Sequence, residues 1–511
     1  MPESCWSPTM EMQDQSDIVF FLQKAAGPTS QRIDTHISTV IIGPDRVYKL
    51  KRAVKLPYLD FSTPEMRLAA CETEFALNRR TAGHLYIGVK RIIRGTDGSL
   101  SFEGEGQTVD SVVQMHRFNQ DDLFDAMART GRLTPALLTQ LAREIARFHG
   151  EAERRTSMPG SEAIEAALAA NEAGFAESRL FDPSKLTRLF NLCHMRLDQC
   201  RAVLDHRGAE GFVRRGHGDL HLRNICLFEG KPVLFDCLEF DETLATTDVL
   251  YDLAFLLMDL VHRGLRAQAN LVMNRYVDET GDDAALSLLP FLMAVRAAVR
   301  AHVGAASANG STEREDEARS YLDLALELLQ PHEPRLAAIA GLSGSGKSSV
   351  AAAVAADIDL PPGARVLSTD RLRKKLAGIA AEEALPPEAY TQESSERVYG
   401  EQRKQAGRIL AGGWSVIADG VFLKASEREA LEAIAQDAAV PFSGVWLDAP
   451  RDVLAARVVG RRGDPSDATV AVLDAQIAAS PGTLAWGSID AAGNLEQTIA
   501  AARATLKGGS A

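Results

Sequence analysis

The sequence predicts an α+β domain followed by an α/β domain with a parallel sheet. Three observations carry this. Residues 36 to 118 read as short β-branched or alternating runs around one helical stretch, and after residue 120 the pattern turns mostly helical. From Arg335 onward, strand-like apolar runs alternate with helical ones, the order that builds a parallel sheet. Between the halves lies "LLQPHEPR", where Pro331 and Pro334 end a helical run before a new apolar strand begins.

Each element has a local reason. "STVIIG" and "RVYKLK" are strands joined by the turn "GPD", and "SVVQMHRF" is a third strand. "STPEMRLAACETEFALNRR" opens with a Ser-Thr-Pro helix start and keeps helical periodicity. "NICLFEGKPVLFD" reads as a hairpin around Gly230. The expected division is 1–332 and 333–511, with a small β-rich lobe at about 30–118, a helical lobe at about 119–330 and a cleft between them.

A chain of 511 residues has room for roughly two to four domains with proper cores. The net charge of −13 argues against a non-specific hold on nucleic acid or an anionic membrane. Little of that excess lies in the second half, which has 19 Lys and Arg against 21 Asp and Glu from Arg335 onward. Cys5, Cys71, Cys193, Cys200, Cys226 and Cys237 form no CxxC pair, so reduced thiols are expected. The N-terminus lacks the basic start and apolar core of a signal peptide. "VLYDLAFLLMDLVH" is interrupted by Asp252 and Asp259 and is too short to span a bilayer. A cytoplasmic location is expected. Oligomeric state is not legible.

Chemistry concentrates at two places. In "HGDLHLRN", Asp219 and Asn224 have the spacing of a kinase catalytic loop, a carboxylate to act as base and an amide to hold magnesium. The hairpin that follows delivers Asp236 at the end of an apolar run, the place of a second metal ligand. The stretch resembles the aminoglycoside phosphotransferase and choline kinase family, which shares the protein-kinase-like bilobal fold. That resemblance implies that Asp219 is the catalytic base, that Asn224 and Asp236 hold Mg2+, and that His217 braces the loop. In the strand "RVYKLK", alternation puts Lys49 and Lys51 on one face, and Lys49 is favoured as the lysine that meets the α- and β-phosphates of ATP. Its helix partner is Glu72 or Glu74, with Glu74 preferred, and backbone near Met115 is expected at the adenine. A glycine-rich loop is missing from "HISTVIIGPDR".

The second place is "GLSGSGKSS", between an apolar strand and an alanine-rich helix, which is the context of a P-loop. Gly341, Leu342, Ser343, Gly344, Ser345, Gly346, Lys347, Ser348 and Ser349 form the phosphate cradle. Lys347 would reach the β- and γ-phosphates and Ser348 the magnesium. Asp370 and Asp419 end later strands and should lie beside this loop, one toward an acceptor hydroxyl and one in the metal shell. Arg457, Arg461 and Arg462 suit a lid over the transferred group. The set resembles the small P-loop kinases, such as gluconate and shikimate kinases and the zeta-toxin type. The order of the whole chain resembles bacterial fusions of an aminoglycoside-phosphotransferase-like domain with an ATP-binding domain.

These resemblances imply a protein-kinase-like α+β domain followed by a P-loop NTPase domain. The activity expected is an ATP- and Mg2+-dependent kinase with two nucleotide sites and small hydroxylated acceptors. An alternative makes the P-loop module a nucleotide-binding or hydrolysing regulator of a single kinase. A nucleic-acid-end kinase is disfavoured by the near-neutral second half.

Overall fold

The computed structural model describes residues 13–56, 59–461 and 465–508. Cys5, Arg462 and the N-terminal stretch read for a leader lie outside the described residues. Two compact units emerge, one of residues 1–170 with 197–259, the other of 171–196 with 260–511. This division does not follow the proline seam. The expected cut at 332 would separate the helix Arg266–Thr280 from the strand Arg365–Ser368, to which Asn274 and Asp278 bond.

In the first unit, helix α1 (Ser16–Ala26), which sequence reading missed, precedes strands β1 (Gln31–Asp34), β2 (Ser38–Ile42) and β3 (Arg46–Lys51). Helix α2 (Pro64–Ala82) follows, with the Thr63 hydroxyl capping the Met66 amide and Pro64 in the first turn. Strands β4 (Tyr86–Arg94), β5 (Leu100–Ser101) and β6 (Gln107–His116) complete an antiparallel sheet ordered β1-β2-β3-β6-β4-β5. Alternation along β3 sends Tyr48 and Leu50 into a core with Ile18 and Leu22 of α1. Val47 goes to the opposite core, against Cys71 and Ala82 of α2. Lys49 and Lys51 therefore point at α2, which is what a lysine–glutamate pair requires.

The predicted hairpin is β7 (Ile225–Phe228) and β8 (Lys231–Leu234), joined by Glu229 and Gly230, with φ of 51° and 76°. Two positive φ values make the tight turn that suits strand twist. Helix α3 (Val249–His262) follows, and the first unit ends within it at Asp259.

The second unit takes in residues 171–196 and, after α3, helix α4 (Arg266–Thr280). Its sheet comes from β9 (Leu336–Gly341), β10 (Arg365–Ser368), β11 (Val416–Asp419), β12 (Phe442–Asp448) and β13 (Gly487–Asp490). All are parallel, in the order β10-β11-β9-β12-β13. The central β9 is followed by helix α5 (Lys347–Ala355). Strand order reverses beside β9, so its C-terminal end opens into the crevice where such sheets bind ligands. Ile339, Ile417 and Val445 pack against Val350 and Val354 of α5. Around the crevice run α6 (Thr369–Ala377), α7 (Gln392–Ala411), α8 (Arg451–Val459) and α9 (Val470–Ala479). Among the described residues, one helix, Leu286–Ala306, is long and apolar enough to cross a membrane by length and composition. In this fold 72% of that stretch is buried as core.

Candidate active sites

In the first unit, Lys49 Nζ lies 2.9 Å from Glu74 Oε1 and also pairs with Asp236. Lys51 joins the same cluster, 2.6 Å from Glu74 Oε2 and paired with Glu239. The two lysines are not equivalent. Lys51 is wholly buried, whereas Lys49 is 13% exposed and touches Asp236, itself 38% exposed. Lys49 is thus the lysine that faces the open side. Burial alone would raise the Glu74 carboxyl, but Lys49 and Lys51 outweigh it and hold it at about 2. Burial opposes charge on Lys49 too, and Asp236 and Glu74 keep it protonated. Glu239 was not singled out in the sequence. Its signal was only an acid three residues after Asp236.

Asn224 Nδ2 donates to Asp219 Oδ2 at 2.8 Å and to the Asp219 carbonyl at 3.0 Å. His221 Nε2 lies 3.3 Å from Asp219 Oδ2. His217 Nε2 sits 3.0 Å from the Phe235 carbonyl, so this ring ties the loop to the residue before Asp236. Asp236 has φ 64°, a left-handed conformation uncommon for a non-glycine residue, held where a carboxylate must be aimed.

What holds the loop came from residues read only as interruptions in an apolar run. Asp252 of α3 accepts from the amides of His217 at 2.7 Å and Gly218 at 2.9 Å, with His149 Nε2 at 3.2 Å. Two turns on, Asp259 accepts from the Leu222 amide at 3.0 Å. The visible signal was two aspartates seven apart, on one face of an otherwise apolar helix. Asp252→Asn exchanges one acceptor oxygen for a donor that faces backbone N–H groups. It should lower unfolding free energy by about 2–4 kcal/mol, measured by denaturant titration, and an unchanged midpoint would count against this bracing.

Met115 is paired with Val47 on one side and Tyr86 on the other, near the end of β6. The ladder ends at His116, after which the Arg117 amide donates to the Asp45 carbonyl at 3.2 Å.

In the second unit, Gly341, Gly344 and Gly346 all have positive φ, and Gly346, at 87°, is the N-cap from which α5 starts. A side chain at Gly344 would meet the Leu454 carbonyl at 2.5 Å. Leu342 lies in the loop, its carbonyl accepting from Ser345 N at 3.1 Å, while Ser348 and Ser349 follow Lys347 in the first turn of α5. Lys347 and Asp419 are both buried. Burial pushes the Asp419 carboxyl up, while Lys347 and hydrogen bonds from Ser348 and Ser368 pull against that, and Asp370 adds a like charge nearby. One oxygen of Asp419, Oδ1, is buried without a hydrogen-bond partner among the described residues. The structure therefore brings Lys347, Ser348, Asp370 and Asp419 together.

Arg457 goes elsewhere. Its guanidinium donates to the carbonyls of Ala491 at 2.8 Å, Ala492 at 3.3 Å and Gly493 at 3.1 Å, so it braces the turn after β13 rather than hanging free in a lid. Arg461 keeps a buried Nη1 without a hydrogen-bond partner among the described residues. Two further residues at this site escaped the sequence reading. Gln476 of α9 accepts from the Ser343 amide at 2.9 Å. Asp467 gathers Lys374 Nζ at 2.5 Å, Leu385 N at 2.9 Å and Tyr390 Oη at 2.5 Å, tying the segment after α8 to α6.

Of the two carboxylates expected at strand ends, Asp419 ends β11, whereas β10 stops at Ser368 and Asp370 lies in the first turn of α6. A lysine–glutamate pair that meets Asp236, an Asp–Asn loop, and a P-loop beside Asp370 and Asp419 define a phosphotransferase that uses ATP. Residues 67–288 match the phosphotransferase enzyme family and residues 336–481 match an AAA domain. The uncharacterized protein Rv2004c of Mycobacterium tuberculosis (strain ATCC 25618 / H37Rv) is 31% identical over 476 residues, covering 91% of this chain and 93% of that protein. The chain belongs to the same family as that protein. Among solved structures, a choline kinase from Cryptosporidium parvum Iowa II aligns with 62% of this chain and 95% of its own, at 10% identity and TM-score 0.37. A gluconokinase from Sinorhizobium meliloti 1021 aligns with 35% of this chain and 94% of its own, at 24% identity and TM-score 0.26.

Proposed function

We propose that the chain holds two nucleotide sites, each moving the γ-phosphate of ATP to a hydroxyl group of a small molecule. The observation that supports this reading is duplication. Each unit has its own phosphate-binding lysine, Lys49 or Lys347, with its own carboxylates beside it.

The residues present fit magnesium. Asp419 offers a buried oxygen, unpartnered among the described residues, close to the Ser348 hydroxyl, and the first unit offers Asn224 and Asp236. Among the described residues, no group of three or more His, Cys, Asp or Glu could hold a metal ion. Two oxygen ligands per site suit an ion that keeps waters and shares its shell with phosphates. When bound, magnesium would neutralise charge on the β- and γ-phosphates. The protein does the rest. In the first site Lys49 orients the α- and β-phosphates, backbone near Met115 meets the adenine edge, and Asp219 takes the proton from the acceptor hydroxyl. In the second, the loop amides and Lys347 hold the phosphates and Asp370 faces the acceptor. Arg461 approaches the transferred group, and Arg457 shapes the turn beside it.

Asp236→Ala should weaken magnesium-dependent nucleotide binding in the first site by at least about tenfold, read by titration with and without the metal. Equal affinity in both conditions for the wild-type site would argue for a kinase-like fold that only binds. Acceptor chemistry is tested by screening metabolites for ATP-dependent phosphorylation. ATP hydrolysis without transfer to any acceptor would overturn the two-transferase reading. One contact favours the regulatory alternative for the P-loop module. Gln476 occupies a loop amide that a phosphate could use, as a gate would.

A further inference from the structure

Strand β10 lies at the edge of the parallel sheet and pairs only with β11, so its outer backbone groups need partners. Helix α4 supplies them. Asn270 Nδ2 donates to the Ala364 carbonyl at 2.9 Å, and Asn274 Oδ1 accepts from the Val366 amide at 2.8 Å. Both asparagines are buried. The approach is close enough that a side chain at Gly363, φ 98°, would meet Asn270 Nδ2 at 3.0 Å.

A second set of contacts lies one turn further along α4 and does more than cover an edge. Asp278 pairs with Arg365 at 2.7 Å, Arg275 at 2.5 Å and Arg371 at 3.4 Å. Its carbonyl accepts from Lys375 Nζ at 2.6 Å. Arg365 opens β10. Arg371 and Lys375 are one turn apart on α6, and Arg371 directly follows Asp370. The grip therefore takes hold of the strand entering α6 and of two positions on one face of α6 itself. Burial would raise the Asp278 carboxyl, but Arg365, Arg275 and Arg371 hold it at about 2, so the cluster stays charged. Helix α4 falls within the residues matched to the phosphotransferase family, yet its buried side chains serve the P-loop sheet.

We propose that Asp278 is a positioning residue for the P-loop site, setting through Arg365 and Arg371 the angle at which α6 presents Asp370 to the acceptor hydroxyl. This rests on the reading of that site as catalytic. It also explains why the segment before the proline seam belongs with the second unit.

The test uses the full chain carrying Asp219→Asn, so that ATP turnover reports the P-loop site. Added to it, Asp278→Asn should lower kcat roughly 10- to 100-fold, the range a small misplacement of a reacting group produces. Binding of a non-hydrolysable ATP analogue should stay within about twofold, because Lys347 and the loop amides are untouched. Asp278→Glu should recover part of kcat. Lys375→Met removes an exposed contact without uncovering the arginines, and should show a smaller drop in the same direction. Hydrogen exchange should quicken at residues 369–377 and stay unchanged at 347–355. If Asp278→Asn does not fold, Lys375→Met and its exchange pattern decide. Unchanged kcat in folded variants overturns the proposal. So does a joint loss of kcat and analogue affinity with faster exchange in both helices, which is what a merely structural role produces. No turnover in the Asp219→Asn parent would instead reject the catalytic reading of the P-loop site, and the exchange pattern alone would then judge the positioning.

Discussion

Asp219→Asn should lower kcat at the first site by about 10²–10⁴-fold while nucleotide affinity stays close to wild type. The substitution preserves shape. Asp219 Oδ2 accepts from Asn224 Nδ2 at 2.8 Å, and an asparagine at 219 can turn its own oxygen to the same donor. The loop itself is held by Asp252 and Asp259 through backbone amides, so its path does not depend on the charge at 219. Basicity alone is lost. The acceptor hydroxyl then loses the carboxylate that would take its proton, and the barrier rises without a change in the ground state. The comparison is made on the first site's transfer reaction, with nucleotide affinity measured separately. Unchanged turnover would remove Asp219 from the role of base. A parallel fall in affinity would mean that the side chain holds the loop or the metal instead.

Lys347→Ala should cost the second site its nucleotide. Lys347 is buried near Asp419, and its charge, with hydrogen bonds from Ser348 and Ser368, opposes the rise that burial imposes on that carboxyl. Removing it would take away the proposed contact to the β- and γ-phosphates and let burial push the Asp419 carboxyl further up, which would weaken any metal shell built on it. Wild-type chain should titrate with two nucleotides and the variant with one, read by calorimetry at concentrations above both dissociation constants. A wild-type stoichiometry of one rejects the two-site reading. A variant that binds one nucleotide but changes the rate of transfer at the first site supports the regulatory alternative. Thermal unfolding of the variant should be run alongside, because an uncompensated buried carboxylate also destabilises.

The sequence by itself determined what depends on neighbours along the chain. Asp219, Asn224 and Asp236 are set by a short loop and a two-residue hairpin turn, and the P-loop by glycines that permit positive φ at the mouth of a helix. Strand alternation settled that Lys49 and Lys51 share a face, and four of the five parallel strands were visible as apolar runs. The tertiary structure decided everything that rests on partners far apart in sequence. Lys49 rather than Lys51 faces the open side because Asp236 lies 187 residues on and meets it there. Asp252 and Asp259 read as flaws in an apolar helix until the catalytic loop's amides were placed over them. Arg457 looked like a lid arginine, but three carbonyls more than thirty residues away claim its guanidinium. The prolines at 331 and 334 mark where a helix stops, which is a local fact. Which body the preceding helices join is a matter of packing. Asn270 and Asn274 satisfy the edge of a strand about ninety residues away, and no pattern within α4 announces that edge.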